Sequence, residues 1–141
     1  METYILRLIK EFFLKTSNKI FLFFAIVNII LSIFVSAYLS HSAIASEKPI
    51  LSAISMQQLH GLTIMILVTS RLRVFLRNSL IWVNSFFSLG LLFFCVNIYL
   101  FKFFDMKLLK FFTPYGGLFF LAGWFLLLIF LIIKFRHRPI R

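Results

Sequence analysis

The chain has 141 residues, of which 62% are hydrophobic and 21 are phenylalanine, and its mean hydropathy is +1.02; a soluble domain sits near about 45–50% apolar, so a water-soluble fold is excluded and the bilayer is the natural solvent. The formal net charge of +11 would suggest nucleic acid in a soluble chain, but here the basic residues flank apolar runs instead of forming a face. That pattern excludes nucleic acid as a partner and fits topology signals and contact with anionic lipid headgroups.

Residues 1–15 read METYILRLIKEFFLK. Ile5, Leu8, Ile9, Phe12 and Phe13 recur at helical spacing, with Arg7, Lys10 and Glu11 on another side. This predicts a short basic amphipathic helix in the headgroup plane, followed by cap chemistry at Thr16, Ser17 and Asn18.

Four windows then lack Asp, Glu, Lys and Arg: 20–46, 49–70, 78–101 and 111–133. A spanning helix needs about 20 apolar residues, so each is long enough to cross. The expected spans are 20–40, 51–70, 79–100 and 116–134, in one membrane domain covering 1–141. The fold class is all-α, an integral membrane four-helix bundle with an N-terminal interfacial helix.

The first span resembles a signal peptide in its basic front and its Ala43-Ile44-Ala45 run, but its apolar stretch is longer than a signal core, so it is expected to remain in the protein. Asn28, Ser32 and Ser36 fall four apart and make a polar stripe facing protein. A short turn is expected across 41–49. In the second span, Gln57 and His60 share a face, and His60 lies about 13 Å from the outer end, near the midplane. A histidine at that depth hydrogen-bonds within the bundle, lines water or binds a ligand.

The segment 71–77 is expected to be a tight turn. The third span holds Asn84, Ser85, Ser88, Cys95 and Asn97, and Cys95 has no second cysteine for a disulfide. The segment 101–112, FKFFDMKLLKFF, is too charged to span and too apolar for water, so it is expected at the interface, with its lysines snorkelling. The fourth span opens on TPYGGLFFLAGW at 113–124. Thr113 precedes Pro114, which suits a helix start. Gly116 and Gly123 are seven apart on one face and, with Gly117, mark a close approach of another helix. Trp124 follows directly.

Eleven of the fifteen Lys and Arg residues fall before span one, between spans two and three, or after span four. The positive-inside rule then places both termini in the cytoplasm, or in the matrix of an organelle.

Three features carry a family resemblance: Gln57-x-x-His60, the run from Phe94 to Tyr99, and TPYGG…GW at 113–124. Together they resemble the domain of unknown function 423 family, small four-span bacterial inner-membrane proteins with mitochondrial relatives called transmembrane protein 256. The family's Gly-Ala-Phe-Gly-Ala-His run corresponds here to Ser36, Ala37, Tyr38, Leu39, Ser40 and His41, which keeps the histidine and loses both glycines. Its Phe-Ser-Gly-Ser-Leu-Tyr run corresponds to Phe94, Cys95, Val96, Asn97, Ile98 and Tyr99. The resemblance implies a fold and a bacterial inner membrane, or a mitochondrial one. It implies no activity.

By depth, Ser36, His41, Gln57, His60, Cys95, Asn97, Thr113, Gly116 and Gly117 gather in the outer half of the spans, with Asn28, Asn84 and Ser85 mainly making up the inner half. A polar cluster that fixes which helices are neighbours is therefore expected. The functional expectation is a small non-enzymatic accessory subunit that contacts lipid and docks on a larger membrane complex, with no cofactor. One alternative is haem or metal binding through His41 and His60. Another is a small transporter, although no Asp or Glu lies in an expected span. No catalytic triad, metalloprotease motif, carboxylate pair or phosphate loop supports an enzyme.

Overall fold

The computed structural model describes residues 2–41 and 48–137, without the side chains at 2–4, 6–10, 107–109 and 137. The expected turn at 41–49 lies largely outside the described residues, as do Arg138 and Arg141. Among the described residues the fold is helical throughout, with no strand. In order come α1 (Glu2–Leu39), α2 (Lys48–Thr69), the short α3 (Leu72–Leu76) and α4 (Ser79–Gly90). A π-helical segment (Leu91–Val96), α5 (Asn97–Phe104), a 3-10 turn (Lys107–Phe112) and α6 (Thr113–His137) complete the chain. Four helices are long and apolar enough to cross a membrane: Glu11–Leu39, Lys48–Thr69, Ser79–Phe104 and Lys110–Arg136. In lipid a helix satisfies its own backbone, which is why uncharged runs of this length fold this way.

The amphipathic start is not a separate helix. α1 runs unbroken for 38 residues, about 57 Å at 1.5 Å per residue, and Thr16, Ser17 and Asn18 lie inside it instead of capping a second helix. No Pro or Gly interrupts this stretch, and single Ser, Thr or Asn residues cost a helix interior only about 0.7 kcal/mol or less. Propagation therefore continues through the boundary that the change in composition suggested.

The turn between α2 and the third span contains α3 and ends at Arg77, whose φ is 46°. Glu11 of α1 forms an ion pair with Arg77, and Phe75 packs against Phe135 with ring centroids 5.4 Å apart. These contacts gather the start of α1, α3 and the end of α6 at one end, hereafter the basic end. At the other end Tyr38 meets Phe103 edge-on at 5.9 Å. There α5 stops at Asp105, in the left-handed conformation with φ 52°, where its N–H bonds back to the Leu100 carbonyl. Lys102 and Lys110 sit over the Phe101 ring at 5.3 and 5.2 Å. The segment expected at the interface is thus the tail of α5, a turn and a 3-10 helix leading directly into α6.

The third span, 79–104, is the centre of the bundle. α2 packs on one side of it, α6 on the other, and α1 packs mainly on α2. Leu80, Val83, Phe87, Leu91 and Cys95 of this span are fully buried, with Ile50, Ala53 and Ile64 of α2. Small residues bring α1 and α2 together: a Cβ on Gly61 would lie 3.0 Å from Ile29 Cγ1 and 3.5 Å from the Ala25 carbonyl.

Candidate functional site

Two hydrogen-bonded chains run through the bundle, and both are anchored on α2. In the first, Tyr99 Oη donates to Gln57 Oε1 at 2.7 Å. Gln57 Nε2 donates to Asn28 Oδ1 at 3.1 Å, and Asn28 Nδ2 donates to the Phe24 carbonyl at 2.9 Å. The carbonyl at the end only accepts, so Asn28 must turn its amide nitrogen to it; that fixes the orientation of Gln57 and makes Tyr99 the donor. Three spans are tied by one directed chain. Gln57 and Asn28 are 1% and 6% exposed, so each broken link would leave a polar group in an apolar interior.

In the second chain Trp124 Nε1 donates to His60 Nε2 at 3.1 Å, and His60 Nδ1 lies 2.9 Å from the Met56 carbonyl. An indole only donates and a carbonyl only accepts. His60 is therefore a neutral imidazole protonated at Nδ1, with its Nε2 lone pair engaged by Trp124. Its ring stacks on Phe120 at 3.7 Å and 14° and touches Phe87 at 5.3 Å. A metal or haem iron would need the lone pair that Trp124 occupies. His41 is exposed just beyond α1, whereas His60 is buried twelve residues into α2, and the structure does not bring the two together. Among the described residues no group of three or more His, Cys, Asp or Glu could hold a metal.

The aromatic box around His60 is admitted by glycines. A Cβ on Gly123 would lie 2.6 Å from Phe87 Cε1, one on Gly90 would run into the Phe120 ring, and one on Gly116 would lie 2.7 Å from the Phe93 carbonyl carbon. Along the antiparallel pair, Phe87, Gly90 and Phe94 of the third span therefore face Gly123, Phe120 and Gly116 of α6 in register. Large meets small at each level, and at Gly116 the backbones themselves come close. Gly117 does not take part: a Cβ there meets nothing within 4 Å. One residue along a helix turns the side chain by about 100°, which carries Gly117 off the packed face.

The π segment lies beside this close approach. Its Phe93 carbonyl accepts from Asn97 Nδ2 at 2.7 Å, and Cys95 Sγ bonds to the Ala53 carbonyl of α2 at 3.3 Å. The Asn97 side chain thus supplies a partner where the regular helical pattern is interrupted within the span, and Cys95 ties the segment to α2. Asn97 is therefore spent on its own helix and does not join the Gln57 chain. Thr113 is half-buried and Pro114 exposed at the start of α6, so neither joins the cluster. Asn84 is fully buried, and neither its amide nor the Ser88 hydroxyl has a hydrogen-bond partner among the described residues.

Of the expected polar cluster and close-packing positions, the structure brings together Gln57, His60, Gly116, Gly123 and Trp124 around the third span. It leaves out His41, Asn97, Thr113, Pro114 and Gly117. Asn28, assigned by depth to the other half of the bundle, belongs to the cluster, as do Tyr99, Phe87, Gly90 and Phe120. One signal for the last three was present in the sequence: large and small residues alternate at complementary spacings, 87, 90 and 94 against 116, 120 and 123.

No curated protein and no solved structure matches the chain. A family described as "Protein of unknown function (DUF423)" matches residues 35–117, a region that holds Gln57, His60, the π segment and Gly116 but not Gly123 or Trp124. That match takes in more than half of the 141 residues, and the chain belongs to this family of unknown function.

Proposed function

We propose that the protein is a non-enzymatic binding component of a membrane, which docks through the bare face of α1 on a larger membrane protein complex. The observation that carries this reading is the one-sided packing of α1. Only 17% of its apolar window is buried, against 44% for α2, 39% for the third span and 22% for α6. Phe23, Ile30 and Phe34, 73%, 60% and 73% exposed, form one stripe at spacings of seven and four. The internal polar groups support the same reading. Gln57 and His60 are spent on holding the helices together.

In this reading the protein sits in a bacterial inner membrane, with the basic end and both termini on the cytoplasmic side. Membranes dissolved in several mild detergents and run on native gels test the docking. The expected result is migration with a heavier species, lost in a Phe23→Ala/Phe34→Ala variant and kept in Phe125→Ala on α6. Migration only as the free small protein in every detergent would defeat the proposal.

A further inference from the structure

A second feature lies outside the polar cluster, at the basic end. It is a cleft of about 1040 Å³ where α1, α3 and α6 diverge. Lys15 of α1, Arg73 of α3, Arg77 just after α3 and Lys134 of α6 line it, with Glu11 as its one carboxylate among the described residues. Glu11 is already paired with Arg77. A smaller cleft beside it adds Arg71 and shares Lys134, Val74 and Phe75. Lys15, Arg73 and Lys134 have no acidic partner among the described residues.

The walls are of a different character. Phe12 and Val74 are 74% and 75% exposed, and Phe75 and Ile133 line the same space. Lys15 and Lys134 lie in the end turns of the apolar windows of α1 and α6, the level at which headgroups meet acyl chains. A cleft that joins several cations to a bare apolar rim at this depth matches a molecule that is anionic at one end and aliphatic at the other.

We propose that this cleft binds the phosphate headgroup of an anionic phospholipid from the surrounding bilayer, with the acyl chains lying on Phe12, Val74 and Ile133. Arginine suits this task because its planar donors can meet two phosphate oxygens at once, and Arg77 is held in place by Glu11. A free phosphate ion would use the cations but not the apolar rim. The site goes beyond the docking reading above and requires only that the four helices cross a bilayer.

The test is native mass spectrometry of the full-length protein in mild detergent, offered phosphatidylglycerol, cardiolipin and phosphatidylcholine in turn. The expected result is retention of an anionic lipid at least about tenfold above phosphatidylcholine. Retention should fall by a similar factor in Arg73→Gln/Lys134→Gln and in Lys15→Gln, a single change on an exposed residue that serves if the double variant fails to fold. It should persist in Lys102→Gln/Lys110→Gln at the opposite end. Equal retention of phosphatidylcholine, or undiminished retention in the folded cleft variants, would overturn the site. Displacement of the lipid by millimolar glycerol 3-phosphate would reassign it to a free phosphate compound and also overturn the proposal.

Discussion

Trp124 of α6 donates its indole N–H to Nε2 of His60 on α2 across 64 positions of sequence, at 3.1 Å. The two residues belong to helices that otherwise meet mainly through the third span, so this bond and the Phe120 stack hold α2 and α6 in one arrangement. Trp124→Phe keeps a ring in the box and removes the donor, which leaves a buried imidazole nitrogen unpaired. A stability loss of about 1 kcal/mol is expected, read as a lower unfolding midpoint in SDS titration of the detergent-solubilised protein. An unchanged midpoint would show that the bond contributes nothing.

The neighbouring glycines of the fourth span should behave oppositely. A Cβ at Gly116 would press on the backbone of Phe93 and the side chain of Phe94, where no flexible group can give way. Gly116→Ala is expected to cost about 2 kcal/mol, the range for overpacked interiors. Gly117→Ala meets open space and should be neutral or slightly stabilising, because alanine is the better helix former. Thermal melts followed by size-exclusion fluorescence compare the two, and equal losses would contradict the register described.

The chain from Tyr99 through Gln57 to Asn28 should show coupling between residues that do not touch. Removing the Tyr99 hydroxyl leaves Gln57 Oε1 without its donor, and Asn28→Ala leaves Nε2 of the same amide without its acceptor. In a bilayer such bonds average about 0.6 kcal/mol. A Tyr99→Phe and Asn28→Ala double-mutant cycle should give a non-additive term of that order. Strict additivity would mean that the two ends of Gln57 act independently.

Asn84 offers the opposite case. Its amide is buried with no hydrogen-bond partner among the described residues, so it contributes desolvation and no compensating bond from them. Asn84→Leu is expected to leave stability unchanged or raise it by up to about 1 kcal/mol. A clear loss of stability would show that Asn84 has a partner in the membrane.

The four spans were legible because runs without charge are long and end at clusters of Lys and Arg. The length of α1 was not, because a basic amphipathic stretch and an apolar one share the same helical period, and nothing between Lys15 and Ile20 breaks a helix. The π segment carries no signal in LLFFCV, and the packing of α6 and α2 against that stretch cannot be read from it. Gln57, His60 and Trp124 stood out as polar or amphipathic groups in apolar runs. Their partners did not, since depth along a helix says nothing of its rotation. For the same reason adjacent Gly116 and Gly117 look alike in sequence, while only one faces a neighbour. The family match describes a region without a known activity, so it adds no chemistry to these residues.

The buried polar groups around His60 and Gln57 tie the helices of the bundle to one another, and the docking proposed above assigns them no ligand. Nitrogen-15 NMR of the histidine-labelled protein in detergent tests this most directly at His60. The account predicts a neutral ring protonated at Nδ1, with Nε2 hydrogen-bonded but unprotonated, and no change in its signals on adding zinc or haem. A ring protonated at Nε2, or a His60 signal that shifts with added metal or haem, would contradict it.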